Sequence, residues 1–224
     1  MKKESGRKTG RGKWLLLVPA LFVFLVVGAF AWKWQTEGDY AGEGIVCQRI
    51  SPITWEERVE QEYLERYQDC LTDLEDGDIL LTSCSHTLGW RNGHAAIVVD
   101  AEKELTLEAV MPGSVSCIQS VAKWRGYPGV MVLRLKGVSA GERSRIADYA
   151  REQMTGTEYG FTGDLVEHFF GMEAQNTHCA HLIRETYLVF GYDLDGDGGI
   201  FVTPRDISIS PLLEVVESYN VKGW

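Results

Sequence analysis

The sequence predicts an α+β domain placed behind a single apolar N-terminal segment. Three observations predict it. One uncharged run of 19 residues, Trp14 to Trp32, follows a basic N-terminus. Four short apolar runs bounded by turn residues cluster in the middle of the chain. Segments with helical spacing and capping residues flank them, the order of an α+β rather than an alternating α/β chain.

Residues 1–13 carry Lys2, Lys3, Arg7, Lys8, Arg11 and Lys13 against Glu4 alone. At about 1.5 Å per residue, segment 14–32 matches a hydrocarbon core of ~30 Å. Its terminal tryptophans suit the two interfaces, and the basic cluster stays cytoplasmic. The expectation is a single-pass membrane anchor with the rest of the chain extracytoplasmic. The competing reading is secretion after cleavage near Ala31, because Ala29-Phe30-Ala31 fits a small-residue cleavage site. Beyond Lys33 the remaining 191 residues hold 15 basic and 31 acidic side chains, a net charge of −16. An acidic body of this kind excludes a nucleic-acid surface, which needs clustered lysine and arginine.

Residues 33–53 read as a glycine-rich linker, leaving 54–224 as the folded domain. Thr54 and Glu57 have capping-box spacing, and Val59, Tyr63, Tyr67, Cys70, Leu71 and Leu74 follow at helical intervals. A helix over about 55–73 is expected. Strands are expected at Ile79–Thr82, from His94 after the Asn92-Gly93 turn, at Leu105–Val110 and at Val130–Leu135. Ser139 and Glu142 open a helix ending near Met154, and another starts near Asn176 or Thr177 and stops at Gly191.

Cys179 falls in the first turn of that last helix, where the positive end of the dipole and unpaired amides favour thiolate. His94 opens a strand, and Glu108 interrupts an apolar alternation on the next. Adjacent strands would let the carboxylate orient the imidazole, as in Cys-His-acid triads. Taken singly, a buried cysteine, a satisfied core histidine and a solvated glutamate account for these residues better, so the case rests on the set. Cys84, the rival nucleophile, ends a strand and has no helix start behind it. Cys47, Cys70, Cys84 and Cys117 form no C-x-x-C pair, and whether they form disulfides is open. Cys84, His86, His94, His178, Cys179 and His181 include every zinc-ligand type, yet no histidines stand at the H-x-x-x-H spacing of a catalytic zinc helix. Asp193, Asp195 and Asp197 with Gly198 resemble a calcium loop whose twelfth position is Pro204 instead of glutamate. A solvated acidic turn is the alternative there.

The order Gly77-Asp78-Ile79-Leu80, Gly93-His94, Leu107-Glu108-Ala109, Tyr159, Cys179-Ala180-His181-Leu182-Ile183, Thr203-Pro204-Arg205-Asp206 resembles the circularly permuted NlpC-type cysteine hydrolases, in particular the YiiX-like family. The likeness runs over roughly residues 74–216. It implies a permuted papain-like fold, a central antiparallel sheet packed by helices, with Cys179 as nucleophile, His94 as base and Glu108 as orienting group. Tyr159 would line the site, and His178, standing where the family often has tyrosine, would touch substrate or oxyanion. The family's serine-glutamate after the cysteine is Ala180-His181 here, and the aspartate after its tyrosine is Gly160. The implied activity is thiol-based amide hydrolysis without a cofactor, with cell-wall peptide as substrate. Lipid acyl hydrolysis or transfer on the same scaffold, or a non-catalytic membrane-anchored binding module, are the alternatives.

Overall fold

The computed structural model describes residues 21–28, 40, 42–66, 71–87, 89–172 and 174–222. The chain divides into two units, Met1–Asp39 and Tyr40–Trp224. Of the first, residues 21–28 are described, as a helix (α1). The rest of the expected 14–32 span, and the basic segment before it, lie outside the described residues. Among the described residues no helix is long and apolar enough to cross a membrane.

The second unit is α+β. Its main sheet has six antiparallel strands: β3 (Ile79–Thr82), β6 (His94–Asp100), β7 (Leu105–Glu108), β8 (Cys117–Ser120), β9 (Val130–Leu135) and β10 (Leu213–Tyr219). Their order across the sheet is β10-β9-β3-β6-β7-β8. Strand β6 sits in the middle and is buried on both faces, which is why it reads as a continuous apolar run after His94. Ala95, Ile97 and Val99 face a core shared with α2 (Ala140–Gln153) and α4 (Cys179–Leu188), whose Ile146, Ala150, Leu182, Ile183 and Tyr187 fill it. Ala96 and Val98 face the opposite core, closed by Trp124 and Tyr127 from a 3-10 turn over Val121–Gly126. Ser139 caps α2 through the Glu142 amide, as its spacing predicts. Two further helices are short, α3 (Thr162–Phe170) and α5 (Pro204–Ser208), the latter opened by a complete Thr203/Asp206 capping box.

A second, four-stranded sheet runs β1-β2-β4-β5. It comprises β1 (Ile45–Arg49), β2 (Thr54–Val59), β4 (Ser85–Thr87) and β5 (Trp90–Arg91). It corrects the helix expected over 55–73: among the described residues that stretch holds a strand followed by a 3-10 helix at Gln61–Arg66. The capping box fails because Glu57 is drawn into another contact. Glu57 is fully buried and takes the Arg91 guanidinium at 2.7 and 3.0 Å and the Tyr40 amide at 2.9 Å. The Thr54 hydroxyl is left without a partner. Strand pairing with β1 and β4, which lie far from local helical contacts, overrides the helical spacing. β1 itself lies within the stretch read as linker. Of the cysteines, Cys70 lies outside the described residues, and Cys84, Cys117 and Cys179 are free thiols.

Candidate active site

His94 begins β6 directly after Gly93, whose φ of 74° is open to glycine and strained for other residues. β7 returns antiparallel beside β6 and carries Glu108 at its end, so the two side chains meet at one end of the sheet. His94 Nε2 lies 2.7 Å from Glu108 Oε2. The carboxylate is fully buried and has every lone-pair direction engaged: Lys123 Nζ donates to Oε2 at 2.6 Å, while Trp124 Nε1 and Thr106 Oγ1 donate to Oε1, both at 2.9 Å. Trp124 also stacks on the His94 ring, with centroids 5.5 Å apart and planes 12° apart. The imidazole is therefore fixed in position and plane. With Nε2 occupied by Glu108, Nδ1 is the nitrogen free to face outward.

It faces sulfur. Cys179 is the first residue of α4, with His178 as N-cap, and its thiol lies near enough to the His94 imidazole for the two to interact electrostatically. The amides of the first helical turn have no intrahelical partners, so they cluster beside this sulfur. A second histidine lies beside the thiol as well: His178 interacts electrostatically with Cys179, and its Nε2 lies 2.9 Å from Asp164 Oδ2. Asp164 comes from α3, is buried, and accepts the Val202 amide on its other oxygen at 3.1 Å. The thiol is thus held between two imidazoles, each backed by a buried carboxylate.

The electrostatics follow from this geometry. Burial alone would raise the Cys179 thiol, but the hydrogen bonds and positive charge of His178 and His94 bring it down to about 6. Burial disfavours the His94 imidazolium, yet the hydrogen bonds to Cys179 and Glu108 hold it at about 9 against the nearby Lys123 charge. His178 sits at about 9 too, burial being outweighed by Asp164 and Cys179. Glu108, in spite of burial, is held far below the usual carboxylate range by His94 and Lys123. A thiolate between imidazoliums is the favoured state near neutrality. Cys84 shows the contrast: buried beside Glu57 and bonded to no imidazole, its thiol is pushed up to about 12.

Tyr159 lies against this centre, its hydroxyl pushed upward by burial and by the Cys179 charge. Phe161, partly exposed, packs on both Tyr159 (5.5 Å) and His178 (5.1 Å). The five residues expected at the site, Cys179, His94, Glu108, Tyr159 and His178, are therefore brought together. Asp164, Lys123 and Trp124 were not anticipated. No periodicity marks the first, which pairs with a histidine 14 residues on, and the other two ride on a 3-10 turn.

No family model matches the chain, and no curated protein matches it. Among solved structures it is similar to the crystal structure of the metalloprotein yiiX from Escherichia coli O157:H7 (DUF1105), with a TM-score of 0.51 and 15% identity over 65% of this chain and 97% of that one. The chain has a YiiX-like fold. Identity at this level speaks to fold alone.

In this YiiX-like domain Gly160 stands where the resemblance led one to expect aspartate. A Cβ there would lie 2.6 Å from the Asn176 side chain, and the carboxylate facing the site comes from Asp164 instead. The approach of α3 depends on Gly163, since a Cβ at that position would fall 2.4 Å from the Asn176 carbonyl oxygen and 3.0 Å from the His181 ring. Gly163→Ala is expected to cost about 1–3 kcal/mol in denaturant unfolding. It should also shift Asp164 off His178, which slower alkylation of Cys179 would report.

The other candidate sites separate from this one. Asp193 of the calcium-like loop is held by the Arg184 fork at 2.8 and 2.9 Å. Asp195 and Asp197 instead approach Asp206, with one carboxylate oxygen from each within 4.8 Å of the others. His86 stacks on Trp55 at 3.5 Å and neighbours Glu57, so neither it nor Cys84 joins the thiol centre.

Proposed function

We propose that this chain is a membrane-anchored thiol hydrolase of permuted papain-like (NlpC) type, acting outside the cytoplasm on amide bonds such as those of cell-wall peptides. The observation that carries the reading is the convergence of Cys179, at a helix start, on the His94 imidazole, which Glu108 holds at 2.7 Å. The histidine and acid precede the cysteine in the chain, the order of the permuted branch.

In this reading the Cys179 thiolate attacks a carbonyl carbon, forming a C–S bond and pushing an electron pair onto oxygen. First-turn amides of α4, with the His178 imidazolium and Tyr159, hold the oxyanion. Collapse breaks the C–N bond while His94 Nδ1 gives its proton to the leaving nitrogen. Water, deprotonated by His94, then attacks the thioester and releases the acid and the thiolate. Glu108 keeps the proton-bearing tautomer in place throughout.

Although yiiX is described as a metalloprotein, a metal has no ready place at this thiol. Among the described residues, the groups of three whose donor atoms lie within 4.8 Å of one another are Glu167–His181–Glu185 and Asp195–Asp197–Asp206. Cys179, His94 and His178 do not form such a group.

A second reading has a specific observation behind it. Phe161 beside His178, and Phe169, Phe170 and Met172 at the end of α3, are large apolar side chains left exposed. Such a surface suits an acyl chain, so lipid acyl hydrolysis or transfer is the alternative chemistry. Incubating the protein with peptidoglycan fragments and, separately, with acyl lipids, each beside Cys179→Ala, distinguishes them. Product from neither substrate would favour a binding module.

Activity on the true substrate should follow a bell in pH. The thiolate is lost as pH falls through about 6, and the His94 imidazolium is lost as pH rises through about 9. The optimum is therefore expected between these values in chelator-treated protein. A profile still rising at pH 10 would contradict the ion-pair state. The two limbs belong to the coupled pair rather than to either residue alone.

A further inference from the structure

Below the thiol centre, α3 and α4 meet along two rungs with matching spacing. Asp164 and Glu167 lie three apart on α3, and His178 and His181 lie three apart at the start of α4. The first rung, Asp164 to His178, is a 2.9 Å hydrogen bond. The second is different. His181 is completely buried, and its Nδ1 is engaged by Thr177 Oγ1 and the Glu185 carboxylate, both at 3.1 Å. Its Nε2 has no hydrogen-bond partner, although Glu167 Oε2 lies only 3.3 Å away.

The geometry points to a site for a divalent transition-metal ion of the zinc class, held by His181, Glu167 and Glu185. One ring nitrogen and one oxygen from each carboxylate lie within 4.8 Å of one another. In tetrahedral zinc with bonds of about 2.0–2.2 Å, adjacent ligands stand roughly 3.3–3.5 Å apart, close to the 3.3 Å of the orphaned Nε2 and Glu167. His181 and Glu185 stand four apart on one helix, so both project from the same face. Glu167 and Glu185 are partly exposed, which gives the ion a path in and leaves a coordination position for water. The Nδ1 contact with Thr177 is the outer hydrogen bond that orients a metal-bound histidine. Arg184 approaches Glu167 at 3.4 Å, but its guanidinium fork is committed to Asp193. The ion clamps α3 to α4 and so holds Asp164 on His178, beside Cys179. It takes no part in the reaction.

The test uses the full-length chain, stripped with a chelator and titrated with zinc by calorimetry, with thermal unfolding in parallel. One zinc per chain and a raised Tm are expected. Loss of an outer-shell partner alone costs roughly 10–100-fold in metal affinity, so Glu167→Gln and Glu185→Gln should each weaken zinc by at least that much. Cys179→Ala should bind zinc as the parent does. Absence of zinc binding, unchanged affinity in both glutamine variants, or loss of zinc with Cys179→Ala overturns the site. Iodoacetamide labelling of Cys179 in the stripped protein reads the thiol centre separately, so failure of the metal site and failure of the hydrolase reading give different results.

Discussion

Replacing Cys179 by alanine lowers turnover by about 10⁴-fold or more, and His94→Ala lowers it by a similar factor, while the double variant is scarcely worse than either. The reason is that the two act as one unit: the sulfur is a strong nucleophile only as thiolate, and the His94 charge helps keep it so. The two variants should differ on a second readout. In His94→Ala the thiol remains beside His178, so alkylation slows but persists; in Cys179→Ala it vanishes. Cys179→Ala removes one sulfur from a partly buried site, so its loss is of chemistry and not of fold. His94 is buried, stacks on Trp124 and pairs with Glu108, so His94→Ala is also expected to lower stability, which unfolding measured beside turnover separates from the chemical loss. Steady-state kinetics with circular dichroism as a fold control measures this.

Glu108 is expected to show the largest combined effect on stability and activity. Four donors converge on its two oxygens from β6, β7 and the 3-10 turn. Glu108→Ala leaves Lys123 and His94 without their buried counter-ion, and the loss of one partner from such a pair costs about 3–5 kcal/mol. Glu108→Gln keeps the shape and isolates the charge. Its amide can donate to His94 Nε2, placing the remaining ring proton on Nδ1, where the base must be free to accept. A fall of about 10⁴-fold in kcat with a much smaller change in unfolding free energy is the expected pattern. Equal losses in the two variants would mean that Glu108 serves the fold alone.

The residues visible in the sequence share one property: each is marked by its local backbone. His94 follows a turn that requires Gly93, Cys179 starts a helix, and Glu108 breaks an apolar strand. The strands β3, β6, β7 and β9 were legible for the same reason, as apolar runs between turns. What stayed hidden depends on tertiary partners. Glu57 looks like half of a capping box until Arg91, 34 residues away, claims it in a buried pair. Asp164 looks like an ordinary first-turn acid until α3 docks, through Gly163, against the segment that leads to His178. β10 pairs with β9 across nearly 80 residues and carries mostly exposed side chains, so no alternation announces it.

The central claim is the ionised state of one sulfur. The rate of iodoacetamide alkylation at each cysteine, followed by mass spectrometry from pH 5 to 10 in chelator-treated protein, tests it most directly. Cys179 should be modified first at pH 7, its rate levelling off above about pH 6–7, with Cys84 refractory throughout that range. If Cys179 instead gains about tenfold per pH unit up to pH 8 or beyond, as an ordinary thiol of pKa ~8.5 does, the two imidazoles do not hold a thiolate and the account fails.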